Sequence, residues 1–168
     1  MKRTPDLIDA ARSQWSEVRP DINTSSMDVI GRVLRGAAVL RRRLDATIAE
    51  GGLNRAEFDL LCALRRGGAA MTPGRLNELT VSSGAATTKR LRELTERGLL
   101  ERSTDQRDRR SARVRLTEQG ERLVDELFPR VLEAEQALLS GLAARQRDSL
   151  AGGLADLLWA LEGPGEGR

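Results

Sequence analysis

Apolar residues recur through most of this chain at the three-and-four spacing of a helix, with one departure near the middle. Leu7, Ile8, Ala11, Trp15 and Val18 form a first helical stripe, closed by Arg19-Pro20-Asp21. Ser25-Ser26-Met27-Asp28 offers capping residues for a long helix to about Glu50, with Val29, Val33, Ala37, Leu40, Leu44 and Ile48 on one stripe and Gly51-Gly52 as its stop. Asn54 followed by Glu57 resembles a capping box and opens a helix to about Arg66, with Phe58, Leu61, Cys62 and Leu64 facing a core. Thr72-Pro73 starts a short helix carrying Leu76 and Leu79. Val81-Ser82-Ser83-Gly84 interrupts the pattern, and a further helix runs to about Arg97, burying Ala86, Leu91 and Leu94 before Gly98. A short helix, a tight turn and a second helix with a basic outer face make a helix-turn-helix.

After Gly98 the period drops to two. Leu99, Leu100 and Arg102 precede a charged loop, after which Ala112, Val114 and Leu116 face one way and Arg113 and Arg115 the other. Two short strands around that loop predict a hairpin, or wing. From Thr117 the helical period returns with Leu123, Leu127, Val131, Ala134, Leu138 and Leu142, and a final helix carries Leu150, Leu154, Leu157, Leu158 and Leu161. The fold class is therefore mainly α with a small β-hairpin wing. Residues 1–26 form an N-terminal helical extension and 54–116 the winged lobe, while 28–50 together with 117–162 make a long-helix region and 163–168 a frayed tail. The leucine stripes between 123 and 161 are too extensive for one small lobe to cover, which points to burial against a second copy. An antiparallel pair within one chain is the alternative.

Composition narrows the chemistry. The chain has 168 residues, 39% of them hydrophobic and 2% aromatic, and its abundance of Ala, Leu, Glu and Arg suits helices. No histidine is present, and neither a phosphate-cradling glycine loop, a nucleophile elbow nor a metal-ligand cluster appears, so the expectation is no enzyme, no cofactor and no metal. The single cysteine, Cys62, excludes an intramolecular disulfide, and its leucine neighbours predict a buried thiol. With no membrane span and no signal-peptide core in the sequence, a cytoplasmic, nucleoid-associated protein is expected.

Charge sharpens the picture further. Residues 84–115 hold ten basic and five acidic side chains, a local +5 in a chain whose net charge is +3. Such a concentration suits a polyanionic partner. A helix-turn-helix followed by a basic hairpin fits double-stranded DNA: the second helix enters the major groove and the loop reaches the backbone or the minor groove. Arginine suits the tip because the narrow groove concentrates negative potential and a planar guanidinium sheds water more readily than an ammonium. Aspartates beside the arginines can hold them in one orientation.

The run Asp105-Gln106-Arg107-Asp108-Arg109-Arg110-Ser111, followed by Val114, Leu116-Thr117 and Gly120, resembles the wing signature of the MarR family of bacterial transcription regulators, and the order of elements over roughly 28–162 is similar too. The resemblance implies a homodimer of winged lobes whose intertwined terminal helices form the interface, bound to a palindromic operator. It makes Arg110 the minor-groove arginine and Asp108 the residue orienting it, with Arg107 and Arg109 alongside. Ser82, Ser83, Thr87, Thr88, Lys89 and Arg90 would supply the DNA contacts at the recognition helix. A two-fold dimer would meet half-sites one helical turn apart, roughly 34 Å.

Members of the family are commonly relieved by a small molecule or an oxidant. A chain without histidine and with one cysteine leaves an organic effector as the favoured route, with Trp15 and Arg65 as candidate lining residues. Their presence resembles the urate-responsive branch of the family, which follows its arginine with an acid; here Arg66 stands in that place. Packing of the extra helix is the other use for Trp15. The rival to DNA binding is a helical adaptor that takes an acidic protein partner on the same basic face.

Overall fold

A computed structural model of the chain describes residues 4–80, 84–104 and 112–163. Its elements are α1 (Leu7–Val18), α2 (Met27–Glu50), α3 (Arg55–Gly67), α4 (Pro73–Leu79), α5 (Gly84–Glu96), β1 (Leu100–Thr104), β2 (Ala112–Leu116), α6 (Glu118–Leu139) and α7 (Ala144–Glu162). They fall into two compact units, Met1–Asn54 and Arg55–Arg168.

In the first unit α1 lies on α2. Asp6 caps α1, its Oδ1 accepting from the backbone N–H of Ile8 at 2.9 Å and of Asp9 at 3.1 Å, and Asp9 returns a carboxylate oxygen to the Asp6 N–H at 2.8 Å. This is a reciprocal capping box that satisfies N–H groups otherwise left without partners. The start of α2 differs from expectation, because Ser26 makes no side-chain cap bond. Its first turn is closed instead by backbone bonds onto the carbonyls of Thr24, Ser25 and Ser26. The two helices approach closely where Ile8 meets Gly31: a Cβ at Gly31 would stand 3.1 Å from the Ile8 Cδ1. Around that contact Arg32 donates to Asp6 at 2.8 Å, to Asp9 at 2.6 Å and to Asp28 at 2.8 Å, and Arg12 also pairs with Asp28.

The second unit holds the core of the winged lobe. Phe58, Leu60, Leu61, Ala63 and Leu64 of α3 are buried, as are Leu76 of α4, Leu91 and Leu94 of α5, and Leu99, Leu100, Val114 and Leu116 of the hairpin region. The period-of-two reading holds for β2, where Val114 and Leu116 are buried and Arg113 and Arg115 exposed. β1 and β2 pair antiparallel, Leu100 opposite Leu116 and Arg102 opposite Val114. Met71 adds a bridge that the sequence pattern does not show, exchanging two backbone hydrogen bonds with Val114 at 2.9 and 2.8 Å and so tying the α3–α4 connection to the wing.

The junction of wing and α6 explains the Leu-Thr-x-x-Gly run. Thr117 caps α6, its hydroxyl accepting from the Gly120 N–H at 3.1 Å while donating to the Gly98 carbonyl at 2.7 Å. Gly120 is buried so tightly that a Cβ there would fall 2.2 Å from the Leu99 carbonyl oxygen. Only glycine lets the first turn of α6 pass beneath that carbonyl. Further on, Val124, Leu127 and Val131 of α6 are buried, whereas Leu138 and Leu139 are exposed. Among the described residues α7 buries no side chain.

Candidate nucleic-acid interface

α5 is held against α4, and its inward face is set by Leu91 and Leu94, both fully buried. The opposite face presents Ala85, Thr88, Lys89 and Arg92 to solvent. Thr88 bonds its hydroxyl back to the Gly84 carbonyl at 3.0 Å. Lys89 stands 3.7 Å from Glu93, and Arg92 3.6 Å from Glu96. Such long, solvated pairs release their cations to a phosphate at little cost. Arg90 is half-buried, with its Nη1 covered by protein.

Thr87 departs from the sequence expectation. It is 1% exposed, and its hydroxyl donates to the Asn77 Oδ1 of α4 at 2.9 Å. The reason is the 100° step of a helix: Thr87 lies one turn before Leu91 on the buried side, while Thr88 is rotated outward. Thr87 is therefore no part of the outer face. Ser82, Ser83, Arg107, Asp108, Arg109 and Arg110 lie outside the described residues.

The described base of the wing is basic on its outer side. Arg113 and Arg115 are exposed there, Arg115 pairing across the strands with Glu101 and Arg113 donating to the Ala70 carbonyl at 3.3 Å, while Arg102, also exposed, lies on the other face opposite Val114. Just past the end of α5, Arg97 reaches back to the buried Glu57 of α3 at 3.3 Å, which fixes this guanidinium to the lobe.

Trp15 is 49% exposed on α1, in the first unit. Arg65, in the second, grips Asp125 of α6 through two parallel hydrogen bonds of 2.8 Å each and approaches Glu121 at 3.8 Å. The guanidinium holds the Asp125 carboxyl below the usual range. Asp125 gives no signal in the sequence, since nothing in residue spacing brings 65 and 125 together. Beside this pair lies an open cavity of about 400 Å³ lined by Cys62, Arg65, Arg66, Val124, Phe128 and Pro129. Cys62 is half-buried, a correction to the fully buried thiol expected, and burial pushes its thiol up to about 11. A thiol so far from ionising at neutral pH is a poor redox sensor.

These features have close counterparts. A model of the MarR family matches residues 51–111. The HTH-type transcriptional regulator PecS of Dickeya dadantii is 32% identical over 139 residues, covering 82% of this chain and 84% of PecS. The chain belongs to the MarR family. Solved structures superpose on it: Bordetella bronchiseptica BpsR, whose DNA binding is regulated by 6-hydroxynicotinic acid, at a TM-score of 0.70 and 27% identity over 81% of this chain and 97% of that one. A mutant of MarR from E. coli complexed with operator DNA reaches a TM-score of 0.70 at 24% identity, over 92% and 99% of the two chains. The MarR family consists of transcription regulators rather than enzymes, and this chain is accordingly a DNA-binding regulator with a winged helix-turn-helix lobe. Among the described residues no helix is long and apolar enough to cross a membrane, and no group of three or more Cys, Asp or Glu side chains is placed to hold a metal ion.

Proposed function

We propose that the protein works as a homodimeric repressor that binds a palindromic operator and is released by a small organic ligand. The observation that carries the dimer is α7: Leu150, Leu154, Leu158, Trp159 and Leu161 are all exposed on a helix with no fully buried side chain among the described residues. A second copy is the partner that such a face calls for, with 28–50 and 117–162 as the dimerising region and 54–116 as the lobe. In this reading Ser82, Ser83, Thr88, Lys89 and Arg90 supply the DNA contacts at the recognition helix, in the major groove. Arg110, oriented by Asp108, reaches the adjoining minor groove, with Arg107 and Arg109 alongside.

For the effector, the cavity beside Arg65 supports a small aromatic or heterocyclic ligand: Phe128 and Pro129 offer an apolar wall, Arg66 a cation at the rim, and the Arg65–Asp125 pair both a donor and an acceptor. Trp15, on its half-exposed helix, serves as the reporter. By reciprocity, a ligand that changes Trp15 fluorescence and lowers DNA affinity must bind more weakly to the DNA-bound protein.

Selection of bound fragments from a random duplex pool tests the core of the proposal. An inverted repeat with half-sites roughly one helical turn apart is expected, bound with a log affinity that falls linearly with log salt at about −0.9 per phosphate contact. A selected sequence without two-fold symmetry overturns it.

A further inference from the structure

The geometry points to Thr87 and Asn77 as a positioning pair that sets the angle of the recognition helix, with neither touching DNA. Three observations meet here. Thr87 is 1% exposed, so its hydroxyl is closed off from a duplex lying on the outer face of α5. That hydroxyl donates to Asn77 Oδ1 at 2.9 Å, joining the first turn of α5 to the last turn of α4. The other end of the same amide lies over the start of α5, with Asn77 Nδ2 3.9 Å from where a Gly84 Cβ would be.

α4 is only seven residues long and buries a single leucine, Leu76. Apolar burial is non-directional, and with one leucine from α4 and with β1 packed further along, it sets the angle at the N-terminal end of α5 only loosely. A hydrogen bond adds what burial lacks, a preferred distance and angle. Placed at the N-terminal end of α5, it fixes the end of the helix that carries Thr88 and Lys89. A lateral error there is read directly as misregistry against base edges, whereas phosphate contacts through long side chains tolerate it. The pair therefore governs discrimination between operator and bulk duplex more than it governs affinity for DNA in general.

This inference rests on the DNA-binding reading, and its test uses the full chain with two duplexes of equal length and composition, the selected inverted repeat and a scrambled one. Thr87→Val keeps the shape and removes the donor, and Thr87→Ser keeps the donor. Asn77→Ala removes the acceptor from the other helix, where half-burial makes misfolding less of a concern. Thr87→Val and Asn77→Ala are each expected to weaken operator binding about tenfold, the size of one directional hydrogen bond that no longer holds the helix in register. Affinity for the scrambled duplex should stay unchanged, Thr87→Ser should restore the operator, and the double variant should lose no more than either single one. Losses that strike both duplexes equally and track a fall in thermal midpoint would reduce the pair to ordinary packing. Additive losses would make the two residues independent, and an unchanged operator affinity for both variants would remove them from recognition. Failure to select any inverted repeat, by contrast, would strike the operator reading itself.

Discussion

The winged lobe and the long helix α7 use similar residues to opposite ends. In the lobe Leu60, Leu61, Leu76, Leu91, Leu94 and Leu100 are all no more than 2% exposed, and a few short elements enclose one another. In α7 the leucines at 150, 154, 158 and 161 are between 38% and 70% exposed. The lobe covers its leucines within one chain; α7 leaves these exposed. Amphipathic period alone does not tell these conditions apart, because a helix shows the same stripe whether its cover comes from its own chain or from another. What differs is the company. Around the lobe, glycine stops, a capped short helix and a period-two segment follow at short intervals, and short connections force neighbours to pack. α6 is covered over its first half, where Val124, Leu127 and Val131 are buried, whereas Leu138 and Leu139 at its far end and those leucines of α7 stay exposed.

The largest effect tests the covered half. Leu94→Ala removes a fully buried side chain where α5 meets the rest of the lobe, and a loss of about 2–5 kcal/mol is expected from transfer and cavity formation together. Leu161→Ala, at a site 70% exposed, should leave protomer stability near wild type. Urea titration at a concentration where the oligomer is constant compares the two. Equal losses would erase the distinction between lobe and helix.

The exposed half is tested by charge. Leu154→Asp with Leu158→Asp places two carboxylates on a face that tolerates them in an isolated protomer but not in a sealed interface. Sedimentation should then show the protomer, and operator affinity should fall about a hundredfold or more as bivalent contact is lost. A dimer that survives this change would move the interface elsewhere.

The wing comes next. Arg110→Ala is expected to weaken operator binding by about 1–3 kcal/mol, measured by titration at fixed salt, with the salt slope shallower by about one contact. An unchanged affinity would leave recognition to α5 alone.

Much of the architecture is legible in the order of residues alone. Period and punctuation locate every helix and both strands, because glycine, proline and capping residues act locally. The wing motif points to the family through residues whose reason the fold makes visible in part: Gly120 is required by the Leu99 carbonyl, and Thr117 caps α6 while holding the end of α5. Thr87, four and seven residues before Leu91 and Leu94, falls on their side of the helix and Thr88 does not, so the period separates the two; polarity alone sets both on the outer face. Met71, Asn77 and Asp125 carry no such signal. Each acts through a partner distant in sequence, namely Val114, Thr87 and Arg65, and no local pattern records such pairs.

The smallest effect belongs to α1, which resembles α7 in burying no side chain but differs in being pinned by charge. Arg32 draws Asp6, Asp9 and Asp28 around itself, and its hydrogen bonds hold the Asp6 and Asp28 carboxyls below their usual range. Carboxylates lowered in the folded state stabilise it above the ordinary carboxylate value, about 3.9 for Asp, and lose that contribution as pH falls through the lower folded values. These side chains are partly exposed, so salt screens them and the effect stays local. Acidification from pH 7 should therefore leave α1 in place until below about pH 4, where amide exchange in Leu7–Val18 accelerates and Trp15 emission shifts while the lobe still protects its amides. Arg32→Met should produce the same release at neutral pH. If α1 instead opens only together with the lobe, in acid and in that variant alike, the Ile8–Gly31 contact rather than the ion cluster is what fastens it.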